Sequence, residues 1–211
     1  MVILKKDGHE VEILPERGAI VSRWTYKGKR ILYEDANLEN VHIIRGGMPI
    51  LFPLCGQLQD DVFHYNEKQF RLTRHGFARD YKWEIVELQD DCVKLLLKAS
   101  AETLTMYPFH FECTVLYSLS GNQLTVSSSV KNNGDVNMPY QIGFHPYFWT
   151  ENKLAAKLVY NWHEEVTDIA KFSHAYVLQT SNFRLTVTSV KGFDHVVVWS
   201  LPGEPFICVE P

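Results

Sequence analysis

Three short segments carry the residue types that proton chemistry needs: His75-Gly76-Phe77-Ala78-Arg79, Gly143-Phe144-His145-Pro146-Tyr147-Phe148, and Phe206-Ile207-Cys208-Val209-Glu210-Pro211 at the end of the chain. A glycine beside a histidine, or a proline after it, restricts the local backbone and so gives the ionisable side chain a defined place. An imidazole that gives up a proton and a carboxylate that accepts one are the two partners of general acid-base catalysis. His145 sits between Phe144 on one side and Tyr147 and Phe148 on the other, which joins a polar tip to a cluster of rings. Glu210 follows five residues without a charge, Pro205 to Val209. A carboxylate that closes such an apolar run must be solvated, paired or used. Arg45 precedes Gly46 and Gly47, and so presents a planar five-donor fork where the backbone can come close to a ligand. Arg79 follows His75 by four residues across a glycine turn that can bring both donors to one side. Each has a plainer reading: an ordinary loop around Arg45 and a turn-stabilising hydrogen bond at His75.

The elements that must hold these residues are strands. From Phe109 to Leu119 the side chains Phe109, Phe111, Cys113, Val115, Tyr117 and Leu119 alternate with mostly polar ones, the pattern of a half-buried antiparallel strand. Ser120-Gly121-Asn122 turns the chain, and Leu124, Val126, Ser128 and Val130 share a face on the way back, which predicts a hairpin. Shorter runs at Val11–Ile13, Ala19–Trp24, Trp83–Leu88, Val93–Leu97, Phe183–Val187 and Val196–Trp199 repeat the theme. No stretch keeps a helical period for three turns. Many short strands, turn residues between them and a 13% aromatic content predict an all-β fold, a large antiparallel β-sandwich. With no internal repeat and no low-complexity linker, residues 1–211 are expected to form a single domain.

Composition narrows the partners. A formal charge of -4 and a pI near 6.1, without runs of one sign, supply no basic stripe for nucleic acid and no polybasic membrane anchor. A small neutral or locally anionic ligand is expected. The four cysteines, Cys55, Cys92, Cys113 and Cys208, lack CxxC spacing and read as reduced structural thiols. The N-terminal Met1 to Asp7 is too short and too soon charged for a signal peptide, and no apolar run reaches membrane-spanning length. A cytoplasmic protein is the expectation.

The ordered motifs RGGxPxxFP (Arg45–Pro53), HGFAR (His75–Arg79), YPFxFE (Tyr107–Glu112), GxHPYF (Gly143–Phe148) and FxCxEP (Phe206–Pro211) resemble the galactose mutarotase-like superfamily, which includes aldose 1-epimerases and hexose-6-phosphate mutarotases. The resemblance covers residues 44–211 and implies a β-supersandwich with a sugar cleft lined by Arg45, His75, Arg79, His145 and Glu210. It makes His145 the general acid, Glu210 the general base, His75 a second histidine near the sugar oxygens, and the Arg45 and Arg79 pair a feature of the sugar-phosphate branch. The implied partner is a small sugar or sugar phosphate, and the implied reaction interconverts α and β anomers without a metal or an organic cofactor.

The chemistry fits that implication. The C1 hydroxyl must lose a proton while the ring oxygen gains one; rotation about C1-C2 and reclosure then invert the anomeric centre. A carboxylate and an imidazolium, expected on opposite sides of the sugar, can do both. A free Glu titrates near 4.3 and a free His near 6.5, so base and acid coexist between those values. Two departures from the family pattern stand out. His145 and Glu210 are 210 - 145 = 65 positions apart, a short interval for the family, and the chain ends one residue beyond Glu210, which leads us to expect a domain lacking C-terminal strands or internal segments. The stretch Phe172 to Leu178 resembles the one that supplies a sugar-binding Asp but holds Ser173 there, with Asp168 and Asp194 the nearby acids. Two rival readings are a non-catalytic carbohydrate-binding protein of the same fold and a metal-dependent double-stranded β-helix enzyme. The second lacks an HxH pair with a suitably spaced Glu.

Overall fold

Alternation of apolar and polar side chains governs the architecture in the computed structural model, which describes residues 1–34, 44–151, 157–158, 168–171, 175–180, 182–189 and 191–211. The stretch Phe172-Ser173-His174, and with it the position of the expected sugar-binding Asp, lies outside the described residues. Antiparallel strands dominate, as the sequence predicts, and the one α-helix among the described residues is the six-residue Ala101–Met106. It was too short to leave a periodic signal, and it is held by a capping box in which Ser100 Oγ accepts from the Thr103 N–H and Thr103 Oγ1 accepts from the Ser100 N–H.

The chain divides into two compact units, each made from two separate stretches: residues 1–20 with 50–142, and residues 21–49 with 143–211. In the first, strands Gln123–Asn132, Phe111–Ser120, Cys92–Lys98 and Glu84–Leu88 lie in that order in one sheet. The predicted face is the buried one: Phe111, Cys113, Val115, Tyr117 and Leu119 are all 2% exposed or less. Register makes this core continuous, because Cys113, Val115 and Tyr117 lie opposite Leu97, Leu95 and Val93, and directly opposed residues share a face. The Tyr117 hydroxyl donates to the Ala19 carbonyl at 3.0 Å, so the one polar atom of that buried ring is satisfied.

The same core fixes the His75–Arg79 segment. Phe77 N–H and Ala78 N–H both donate to the Phe52 carbonyl, at 3.0 and 3.1 Å. Phe77 packs edge-on against Phe52, and the Trp83 indole N–H donates to the Ala78 carbonyl at 2.9 Å. Gly76 has φ +69, and a Cβ there would overlap the Phe52 carbonyl.

In the second unit the sheet order is Tyr147–Trp149, Phe206–Glu210, His195–Trp199, Asp168–Lys171. The Phe206–Glu210 strand is buried from Phe206 to Val209, which explains its uncharged composition: a central strand covered on both faces has no place for charge before its last residue.

Gly76→Ala therefore combines a left-handed backbone with an overlap that nothing nearby can relieve, and should cost about 3 kcal/mol or more. Gly121→Ala, at φ +58 with open space around it, should cost about 1 kcal/mol. Urea denaturation of both variants checks this; equal losses would remove the close approach at Gly76.

Candidate functional site

Strand register brings His145 to Glu210 across 65 positions of sequence. Tyr147, Phe148 and Trp149 lie opposite Cys208, Ile207 and Phe206. One hydrogen bond continues that ladder outward: the Phe144 N–H donates to the Pro211 carbonyl at 3.0 Å. In this register His145 faces Glu210, and the side chains meet, with His145 Nε2 3.2 Å from Glu210 Oε1. Both are nearly covered, at 11% and 9% side-chain exposure. The carboxylate that ends the apolar run is thus paired. The acid and base were expected on opposite sides of a sugar, but they stand side by side on neighbouring strands.

Aromatic packing sets the imidazole's plane. The Tyr147 ring stacks on His145 with centroids 4.5 Å apart and planes 8° apart, and Trp199 meets both rings edge-on, at 6.0 and 6.3 Å. Trp199 lies opposite Cys208 on the next strand, and Phe206 closes the cluster at 4.9 Å from Tyr147. Such ring pairs contribute about 0.5–1.5 kcal/mol each beyond burial. Tyr147 is itself fixed by a hydrogen bond from its hydroxyl to the Ile44 carbonyl at 3.0 Å. Its N–H donates to the Gly47 carbonyl at 2.9 Å, and the Gly47 N–H donates to the Tyr33 carbonyl at 2.7 Å. His145 is anchored through its own N–H to the Pro49 carbonyl at 3.0 Å. The Arg-Gly-Gly loop is thus the backbone cradle of the His145–Tyr147 stack, and Arg45, exposed, stands on that cradle between Ile44 and Gly46.

His75 and Arg79 belong to the other unit. His75 takes a left-handed backbone, φ +68, and closes a reciprocal pair with Gly56: its N–H donates to the Gly56 carbonyl at 2.7 Å, and the Gly56 N–H donates to His75 Nδ1 at 3.1 Å. An Nδ1 that accepts carries no proton, so the neutral ring bears its hydrogen on Nε2 and presents a donor. Burial, with the Arg79 and Arg74 charges beside it, lowers the His75 pKa to about 4. Arg79 donates to the Arg74 carbonyl at 3.1 Å. Of the acids near it in sequence, Asp80 is met by Arg17 at 3.4 Å and Glu84 by Lys98 at 3.6 Å. The four cysteines are free thiols, with Cys113 and Cys208 buried. Tyr147 as a clamp and Trp199 as a wall of the site went unassigned in the sequence, because both read as core aromatics. Cys208 carried a signal of its own, since strand alternation puts it on the face of Glu210.

A model of the aldose 1-epimerase family matches residues 1–198. The chain belongs to that family. The matched stretch includes Arg45, His75, Arg79 and His145; Glu210 lies 210 - 198 = 12 residues beyond it. Among solved structures, the Slr1438 protein of Synechocystis sp. PCC 6803 is 32% identical with a TM-score of 0.84, over 100% of this chain and 84% of that one. The galactose mutarotase related enzyme of Lactobacillus acidophilus superposes with a TM-score of 0.84 at 24% identity, again over 100% and 84%, and shares the all-β galactose mutarotase-like fold. The plasmid-borne protein LacX of Lactococcus lactis subsp. lactis is 37% identical over 109 residues, 49% of this chain and 36% of LacX; the chain spans about a third of the length of the curated relatives it matches.

The folded state resists protonating His75, whereas the unfolded chain takes that proton near pH 6.5. The stability this contributes is present above pH 6.5 and is lost as pH falls toward 4. The denaturation midpoint should accordingly drop less steeply from pH 6.5 to 4 in His75→Asn, whose side chain tolerates the left-handed backbone. Parallel pH profiles for the two proteins would show that His75 does not titrate this way.

Proposed function

We propose that the protein interconverts the α and β anomers of an aldose, with Glu210 as general base and His145 as general acid. The observation that carries this reading is the 3.2 Å contact between His145 Nε2 and Glu210 Oε1, on a strand pair of a chain in the aldose 1-epimerase family. Glu210 removes the C1 hydroxyl proton as His145 protonates the ring oxygen, and the C1-O5 bond breaks to leave the open-chain aldehyde. After rotation about C1-C2, the C5 hydroxyl adds to the other face of the carbonyl. Its proton returns to His145, and Glu210 gives its proton back to the oxygen on C1. Both groups end as they began, so the cycle needs no external proton source. Arg45, His75 and Arg79 complete the proposal as substrate-binding residues, His75 through its Nε2–H.

Glu210→Gln keeps size and hydrogen-bonding capacity and removes the base. The expected result is a loss of about 100-fold to 10,000-fold in the rate of anomer exchange, with sugar binding nearly intact. Retention of more than about a third of the rate would exclude Glu210 as base. Anomer-exchange spectroscopy over free and phosphorylated aldoses is the assay. Sugar binding with no exchange in the wild type would favour a carbohydrate-binding protein instead.

The Arg45 and Arg79 pattern further supports a hexose 6-phosphate as the preferred form, because guanidinium forks match a phosphate dianion. Binding of the 6-phosphate should exceed that of the free hexose, and the preference should shrink at high ionic strength and in Arg79→Ala. Equal affinities at low salt would leave the free aldose as substrate.

A further inference from the structure

The proposed reaction leaves one chemically capable group of the site unused. Cys208 lies two residues before Glu210 on one strand, so both project from the same face, and it is fully buried. Its sulfur, a nitrogen of His145 and a carboxylate oxygen of Glu210 all lie within 4.8 Å of one another. One nitrogen, one sulfur and one oxygen donor gathered from two neighbouring strands form the ligand set of a borderline-soft divalent ion. Zinc takes such ligands at about 2.0–2.3 Å, which sets two donors on one ion about 3–4 Å apart. The His145–Glu210 separation of 3.2 Å already meets that, and the two separations to sulfur, within 4.8 Å, lie within small side-chain adjustments of it.

We propose that His145, Cys208 and Glu210 bind a zinc-like divalent ion, which takes the place of the direct contact between the imidazole and the carboxylate. Hard ions are excluded by the donor set, since magnesium and calcium require mostly oxygen ligands and this site offers one carboxylate. Binding displaces the thiol proton, so affinity rises with pH. The ion and the acid-base cycle compete for the same lone pairs. That last consequence rests on the proposed activity, whereas the binding itself does not.

Cobalt(II) reports thiolate ligation directly through a sulfur-to-metal charge-transfer band. The test uses a Cys55→Ser/Cys92→Ser background, which removes the two partly exposed thiols. At pH 8 cobalt should produce the band, one equivalent of zinc should erase it, and excess magnesium should leave it unchanged. Adding Cys208→Ser should abolish it. Glu210→Gln, which keeps thiol and imidazole, should weaken zinc binding by about 10-fold or more. No band in the background protein, a band that survives in Cys208→Ser, or unchanged zinc affinity in Glu210→Gln overturns the proposal. A protein that gives the band but never exchanges anomers defeats the proposed activity and leaves the metal site standing.

Discussion

The antiparallel register between Tyr147–Trp149 and Phe206–Glu210 is the constraint on which the site depends. Strand pairing is quantised: a slip of one residue would turn Glu210, Cys208 and Phe206 to the other face together. That slip is blocked because both faces of the Phe206–Glu210 strand are covered. Tyr147 and Trp199 flank Phe206 and Cys208 on the face that carries Glu210, while Ile207 and Val209 are buried on the other. The position of Glu210 is therefore a product of apolar packing several residues away.

The pair's orientation comes from a chain of backbone contacts. Gly47 ties Tyr33 to Tyr147, the Tyr147 hydroxyl reaches back to the Ile44 carbonyl, and the Tyr147 ring lies flat on His145. Each contact is modest, about 1 kcal/mol for a hydrogen bond, but together they leave the imidazole little freedom to turn. General acid-base catalysis depends on such preorganisation more than on raw binding strength. Near-complete burial strengthens the His145–Glu210 contact by excluding water. It also makes each partner costly to lose, because the survivor would be a buried group without its counterpart.

Most of the fold was legible. The alternation from Phe109 to Leu119 was readable because a two-residue period admits one buried face, and the Gly121 turn sets the returning strand's register. The site was legible as residue types: a histidine packed among rings, and a carboxylate after five uncharged residues. The direct contact between them was not, because register between strands 65 positions apart depends on packing that one sequence does not display. The expected placement on opposite sides of a sugar gives way to a direct contact set by this register. Cys208 was read as a small hydrophobe; its burial bears that out, while its place beside Glu210 was available from alternation alone. The His75 environment was half visible: the arginine four residues on could be seen, but the Gly56 partner that fixes its tautomer could not.

The central claim is that His145 and Glu210 act as one proton-transferring unit. A double-mutant cycle on anomer exchange tests it most directly, using His145→Asn, Glu210→Gln and the double variant, each first shown to be folded. Groups that work as a unit are non-additive, since losing either one already stops the cycle. The account predicts that the double variant is no slower than the slower single variant to within about threefold. Losses that multiply would contradict it, and would mean that the two residues serve the sugar independently despite their contact.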